Sequence, residues 1–320
     1  MRIVVFGSLN LDTTIAVDRR PDWGETILSH GTAVAAGGKG ANQAAAAARL
    51  GDEQVVMVGR VGEDSAGAFL RAQLVSNGVV DRVRVDPART TGSAVILRSP
   101  SGENAIVVAA GANDGVVADD LAALEAPDEP TVLVLQLEVP VKVVTEAAAL
   151  AKSRGWHVLL NVAPVRPGAD GLVGTADTLV ANEVEAGQLT GLPVRDVAGA
   201  VVAGEMLLAR GPSRVAVTLG EHGAVLVGRD GAWHAPAPAV DVVDTTAAGD
   251  AFVGALAVAI AEERPDVQAL ALAVAAGSLA STLAGAQPSL PDRARVLRVV
   301  TSVGVEEPGT PVRVTEGLPM

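Results

Sequence analysis

The chain of 320 residues contains no cysteine, which excludes disulfides, thiolate nucleophiles and Cys-ligated zinc or iron–sulfur centres. Aromatic residues make up only 2% of a sequence that is 49% hydrophobic. A core must therefore be built from Ala, Val, Leu and Ile, and Trp23, Trp156 and Trp233 form no recognisable stacking platform. Positive charge is also short, with 24 basic against 37 acidic residues and a net charge of −13. That balance argues against nucleic acid or an anionic membrane as the main partner. It leaves room for an anionic cofactor held locally. No apolar run approaches a membrane span, because glycines, prolines or charges interrupt each one. The four histidines, His30, His157, His222 and His234, share no metal-ligand spacing. Met1 to Gly7 reads as a first strand running into a turn rather than a signal peptide, so a soluble, cytoplasmic protein is expected.

What is present is an alternation of short β-branched runs and alanine-rich helical stretches. Residues 3–6, 55–58, 132–135, 158–160 and 215–218 read as buried parallel strands. Residues 42–50, 66–76, 141–153 and 197–210 read as helices. This order predicts a doubly wound, mostly parallel α/β sheet of the Rossmann-like kind, with ligands at the carboxyl ends of its strands. Two stretches break the pattern. Residues 13–17 with 26–35, and 93–98 with 104–109, alternate like antiparallel pairs, and Ser101-Gly102 supplies a turn between the second two. They predict a small β-sheet lid, spanning about 12–36 and 92–110, whose apolar face needs covering. One domain over 1–305 and a loose tail at 306–320 complete the expected organisation.

Five segments carry candidate chemistry. Asp244-Thr245-Thr246-Ala247-Ala248-Gly249-Asp250 precedes an apolar helical run. Small residues there let first-turn N–H groups approach an anion, which the helix dipole also favours. Asp250 fits as a base that deprotonates a hydroxyl receiving a phosphoryl group; its plain alternative is a first-turn acid on a buried helix. Gly37-Gly38-Lys39-Gly40-Ala41-Asn42-Gln43 precedes a helix of alanines. It is no Walker A loop, since Ala33 and Gly40 occupy the decisive places, and no dinucleotide fingerprint. Lys39 is one of only three lysines, and Lys39 and Asn42 can donate to hydroxyls. Asn10 and Asp12 follow the first strand and can clamp vicinal hydroxyls, although both are ordinary turn residues. Asn182 and Glu185 share one face of a helix start, which suits either water-held Mg²⁺ or a capping box. Thr218-Leu219-Gly220-Glu221-His222-Gly223 can seat a nucleoside or simply turn a hairpin.

In this order the segments resemble the ribokinase family of carbohydrate kinases, from about Arg2 to about Leu297. Gln136-Leu137-Glu138, Asn161-Val162-Ala163-Pro164, Gly102-Glu103-Asn104, Gly111-Ala112-Asn113 and Gly285-Ala286-Gln287-Pro288-Ser289 strengthen the likeness. The resemblance implies ATP-dependent transfer of the γ-phosphoryl group to a primary hydroxyl of a sugar, with D-ribose at O5 the favoured acceptor. It makes Asp250 the base and the N–H groups of Ala247, Ala248 and Gly249 an anion hole. It maps Asn10, Asp12, Gly38, Lys39, Asn42 and Glu138 onto the sugar. Asn182, Thr218, Gly220, Glu221, Gly223 and Gly249 map onto ATP, and Glu185 helps place Mg²⁺. An activating K⁺ would be held by Asp244, Thr246, Ala280, Leu283, Gly285 and Ser289, several through main-chain carbonyls. The family also implies a homodimer packed through the lid. Val274 departs from the Asn or His that relatives often place beside adenine.

Rival readings are a kinase of another acceptor (2-deoxyribose, fructose, a keto-deoxy sugar acid or a nucleoside) and a sugar-binding regulator without catalysis. Polar Asp12, Lys39, Asn42 and Glu138 favour a small hydroxyl-rich sugar over a nucleoside, which would want apolar walls. A nicotinamide-dependent dehydrogenase fails for want of a dinucleotide fingerprint.

Overall fold

The computed structural model describes residues 1–100, 104–124 and 130–308. The chain opens with β1 (Arg2–Phe6), β2 (Asn10–Ala16), β3 (Gly31–Gly37), α1 (Lys39–Leu50), β4 (Val55–Val58), β5 (Arg60–Gly62) and α2 (Ser65–Ser76). There follow β6 (Val80–Asp81), β7 (Arg84–Asp86), β8 (Gly92–Arg98), β9 (Asn104–Ala109), α3 (Ala118–Ala122), β10 (Thr131–Leu135), α4 (Val141–Ser153) and β11 (His157–Asn161). The last part comprises β12 (Thr178–Asn182), α5 (Glu183–Thr190), α6 (Val197–Leu208), β13 (Arg214–Thr218), β14 (Ala224–Gly228) and β15 (Gly231–Ala235). Helices α7 (Ala248–Ala261), α8 (Asp266–Ala280) and α9 (Arg293–Val300) close it.

Nine strands form the main sheet in the order β15-β14-β13-β12-β11-β10-β1-β4-β6. From β13 to β6 all neighbours are parallel, while β14 and β15 extend the sheet as an antiparallel edge. Strands covered on both faces must be apolar throughout, as β1 and β10 are. The strand period of two then splits β1 between two cores. Ile3 and Val5 face the layer of α1, α7, α8 and α9, whereas Val4 and Phe6 face that of α4, α5 and α6. The first layer is nearly all alanine, valine and leucine, and α7 lies between α1 and α8. Close helix approach depends on these small side chains. A Cβ on Gly254 would stand 2.6 Å from that of Ala46 and 2.9 Å from the Ala47 nitrogen.

The small sheet runs β3-β2-β8-β9. Both expected antiparallel pairs form, and a parallel β2–β8 contact joins them into one sheet. Three expectations need adjusting. Residues 26–30 lie outside β3, and Asn10 and Asp12 are strand residues of β2 rather than turn residues. Helices α1 and α7 begin three residues earlier than the apolar pattern suggests, at Lys39 and Ala248, because the polar and glycine residues before each run already take helical geometry. One face of the small sheet carries the exposed Val34, Val95 and Val107 in register, and the opposite face, which includes Asp12, carries the exposed Ile106 and Val108. Trp23, in the connection from β2 to β3, is fully exposed, whereas Trp156 is buried with the guanidinium groups of Arg2 and Arg154 over its ring. Of the segment expected as a tail, Glu306 pairs with the backbone of His234; residues 309–320 lie outside the described residues, as does the turn at 101–102. No described helix is long and apolar enough to cross a membrane.

The α1–α7 contact yields a stability prediction. Gly254→Val is expected to lower unfolding free energy by about 1–3 kcal/mol through overpacking, measured by urea denaturation; an unchanged midpoint would show that the two helices can separate freely.

Candidate active site

Several of the chemically interesting segments leave the same edge of the main sheet. Gly7 and Ser8 follow β1, Gln136 and Glu138 follow β10, and Asn161, Asn182 and Thr218 end β11, β12 and β13. Parallel strands put their carboxyl ends together, so polar groups after buried apolar runs converge there.

Asp250, in the first turn of α7, is the centre of this group and is buried. Its carboxylate accepts from Asn42 Nδ2 at 2.9 Å and from Gln43 Nε2 at 2.9 Å, both on α1. Burial pushes its pKa up; the Lys39 ammonium and the Asn42 and Gln43 amides oppose the rise, while Glu138 adds to it. Burial also works against the charge of Lys39, but Asp250, Glu138 and Glu185 hold its pKa above the ordinary value. Glu138 accepts from the Lys39 backbone N–H at 2.8 Å and from the Ser8 hydroxyl. Gly38 makes this approach feasible. Its φ of +87° suits glycine, and a Cβ there would lie 2.8 Å from the Asn10 nitrogen. Asn10 Oδ1 accepts from Asn113 Nδ2 at 2.8 Å. Asp12 is pushed up to about 7 by burial first, then by Glu138 and Asp250. Asn10, Asp12, Gly38, Lys39, Asn42, Glu138 and Asp250 thus form one cluster.

Beside it lies a cavity of about 810 Å³. Thr218, Gly220, Glu221, Gly223, Ala248 and Gly249 line it, with Val274 and Phe252 as apolar wall. A Cβ built on Gly249 or Gly220 would meet no atom within 4 Å, so backbone there is open to a ligand. Ala247 caps α7 in the left-handed region at φ 61°. That conformation costs a non-glycine residue about 1 kcal/mol or more and turns the chain sharply into the helix. The Ala248 N–H is already taken by the Thr245 carbonyl at 3.2 Å, so of the three residues expected to form an anion hole it carries the least weight.

Asn182 does not line the cavity. It caps α5 through the Glu185 N–H at 2.8 Å, and Glu185 returns a bond to the Asn182 N–H at 2.9 Å. The capping box is therefore formed. Glu185 nonetheless faces the cluster. Burial raises its pKa, the Asn182 N–H and Lys39 lower it, and Glu183 and Asp250 raise it further.

The loop before α7 is tied down through Asp244. Its Oδ1 accepts from the Thr246 N–H at 3.0 Å and hydroxyl at 2.6 Å, and its Oδ2 from the Gly285 N–H at 3.1 Å. Arg98 at the end of β8 adds an ion pair at 3.3 Å, linking the small sheet to this loop. Burial opposes the charge of Asp244, but these donors and Arg98 hold its pKa below the ordinary range. The Ser281 carbonyl, next to Ala280, accepts from the Val243 and Asp244 N–H groups. Ser289 turns its hydroxyl to the Ala286 carbonyl at 2.8 Å, and Leu283 is exposed. The six residues expected to hold K⁺ thus share one neighbourhood, with Arg98 already supplying positive charge at Asp244. Among the described residues no group of three or more His, Cys, Asp or Glu side chains is arranged for a metal.

No role was assigned from sequence to Ser8, Gln43, Arg98, Asn113, Gln136 and Asn161, although Gln43, Asn113, Gln136 and Asn161 stand in segments that carry the resemblance. The available signal was a polar residue immediately after a buried apolar strand, which marks Ser8, Gln136 and Asn161. Nothing in the sequence marks Arg98 as a partner of Asp244.

The chain matches the pfkB family carbohydrate kinase profile over residues 1–293. It is 38% identical over 301 residues to the ribokinase of Haemophilus influenzae, covering 92% of this chain and 97% of that one. It is 35% identical over 294 residues to the deoxyribokinase of Salmonella typhi, covering 91% and 96%. The structure of Arabidopsis thaliana ribokinase complexed with ribose and ATP has a TM-score of 0.83 and 35% identity. It covers 93% of this chain and 98% of that one.

The shift at Asp12 carries a pH prediction. A carboxyl whose pKa is higher folded than unfolded binds its proton better when folded. Its stabilising contribution is therefore complete below about pH 4 and lost as pH rises through about 7. Asp12→Asn is expected to be more stable than the parent at pH 8 by roughly 1 kcal/mol or more, and no more stable near pH 4. Urea unfolding at the two pH values measures this, and equal differences at both would contradict it.

Proposed function

This chain belongs to the pfkB family of carbohydrate kinases and is itself a carbohydrate kinase, and from that premise we propose that it transfers the γ-phosphoryl group of ATP to O5 of D-ribose. The observation that carries the reading is Asp250: a buried carboxylate held by two amides at a helix start, between the polar cluster and the open cavity.

In this reading the sugar lies against Asn10, Asp12, Gly38, Lys39, Asn42 and Glu138. The carboxylates accept from its hydroxyls, while the Lys39 ammonium and Asn42 amide donate. Asp250 takes the O5 proton as O5 bonds to the γ-phosphorus and the bond to the bridging oxygen of ADP breaks. A positioned base of this kind is worth roughly 10²–10⁴-fold in rate. First-turn N–H groups at Ala247 and Gly249, and less so at Ala248, whose N–H donates to the Thr245 carbonyl, favour charge on the transferring group together with the dipole of α7. Thr218, Gly220, Glu221 and Gly223 border the adenosine, near Val274, and Asn182 stands at the strand end beside them. Mg²⁺, placed through water by Glu185, would neutralise charge on the β- and γ-phosphate oxygens. An activating K⁺ beside Asp244, Thr246, Ala280, Leu283, Gly285 and Ser289 belongs to the same reading, and Arg98 would temper its effect.

Residues 1–305 act as one kinase unit, with a lid of about 12–36 and 92–110. The exposed Val34, Val95 and Val107, which share one face of the small sheet, fit cover by the same sheet of a second copy, giving a homodimer. Dependence on ATP accords with a cytoplasmic location.

The deoxyribokinase relative supports 2-deoxyribose as a second acceptor. ADP formation from ATP and Mg²⁺ across D-ribose, 2-deoxyribose, fructose and several nucleosides tests the choice. D-Ribose is expected to give the highest kcat/KM; a higher value for any other sugar would reassign the acceptor. Asp250→Asn is expected to lose roughly 10²–10⁴-fold in kcat while still binding the sugar in calorimetry. Near-normal turnover would remove Asp250 as the base. For Asp12→Ala and Glu138→Ala the main effect expected is weaker sugar binding, and unchanged affinity in both would misplace the sugar site.

A further inference from the structure

Both oxygens of Asp250 are gripped from one helix, but the two grips differ in what stands behind them. Gln43, which donates to Oδ1, is fully buried. Its Oε1 accepts from Gln136 Nε2 at 2.7 Å, and its Nε2 also reaches Asn161 Oδ1 at 3.1 Å. Gln136 follows β10 and Asn161 ends β11, so this grip is anchored on the central sheet. Gln136 is itself confined, since its Oε1 lies 1.9 Å from where a Cβ on Gly7 would stand. Asn42, which donates to Oδ2, has no such backing. Its Oδ1 is buried without a partner.

The chemistry fixes the orientation of the Gln43 amide. A carboxylate only accepts, so the –NH₂ end must face Asp250 and the oxygen must face the Gln136 donor. A proton on Oδ1 would then meet a donor whose reversal requires the Gln136 amide, its Oε1 unpartnered, to reverse with it. Reversal also turns the Gln43 oxygen onto Asn161 Oδ1, an oxygen held in place because Asn161 Nδ2 donates to the Val180 carbonyl. A proton on Oδ2 meets Asn42, whose amide can rotate and present its unpartnered Oδ1 as acceptor. We propose that Gln43 is a positioning residue for Asp250, braced by Gln136 and Asn161, that bars the proton from Oδ1 and reserves Oδ2 as the oxygen that takes it from the sugar hydroxyl. The inference rests on Asp250 being the base. Lys39, Glu138, Asp12 and Glu185 are the charged groups facing it, and none is bonded to Oδ1.

Gln43→Met keeps the length of the side chain and removes the donor. Losing a hydrogen bond to a charged group corresponds to roughly tenfold to hundredfold in kcat. The expected result is a fall of that size, with the acidic limb of the kcat–pH profile moved to higher pH and sugar affinity by calorimetry unchanged. Gln136→Met, which leaves Gln43 and Asp250 in place, is expected to shift both readouts in the same direction but less. An unmoved acidic limb in Gln43→Met, or a loss confined to sugar affinity, would overturn the proposal. Should Gln43→Met fail to fold, Gln136→Met decides on the same readouts. Asp250→Asn separates the two levels: retained turnover there defeats the base itself, whereas a dead Asp250→Asn beside an unmoved Gln43→Met defeats only the positioning role.

Discussion

Keeping one carboxylate, Asp250, buried and oriented at the first turn of α7 is the constraint that the rest of the structure answers. A charge taken out of water needs donors and compensation, and these come from two helices. The Asn42 and Gln43 amides and the Lys39 ammonium come from α1, and the favourable dipole from α7 itself. That supply requires α1 and α7 to lie close together, which only alanine and glycine permit. The alanine-rich, aromatic-poor composition is thus tied to the geometry of the site through the Gly254–Ala46 contact.

The same constraint explains what was legible in the sequence. Strands buried on both faces leave continuous β-branched runs, so β1, β4, β10, β11 and β13 stood out, and α4 was read to its ends. Helix starts were misjudged at Lys39 and Ala248, because hydrophobic periodicity is silent where a helix begins with glycine or polar residues that serve a ligand. The sheet edge β14–β15 and helix α8 were not assigned from sequence. The split of site residues follows the same logic. Asp250, Lys39, Asn42 and Glu138 sit in local motifs with a chemical rationale of their own. Asn113, Gln136 and Arg98 acquire theirs only from neighbours about a hundred residues away or more in the chain, which no local pattern encodes. Asn182 and Glu185 were balanced between a cap and a cation site, and the formed capping box favours local structure first.

Electrostatically the site is one ammonium among four carboxylates: Lys39 with Asp12, Glu138, Glu185 and Asp250. An excess of negative charge in a cleft that must also admit a polyphosphate is workable because the two are kept apart. The acids gather in the cluster around Asp250, whereas the open glycines Gly220 and Gly249 line the cavity. Arg98 reaches the loop before α7 from the small sheet and pairs with Asp244. It makes the position of that sheet and the electrostatics of the phosphate-facing loop parts of one equilibrium.

The placement of the tryptophans has an optical consequence. The protein contains no tyrosine and three tryptophans, so its near-ultraviolet emission is indole emission. Trp156 is buried between two guanidinium groups, while Trp23 stands free in water on the connection leading into the small sheet. Trp233 is half-buried, so the most red-shifted emission, and the most open to quenching by iodide, belongs to Trp23, and that component follows the solvation of the connection from β2 to β3 without any introduced label.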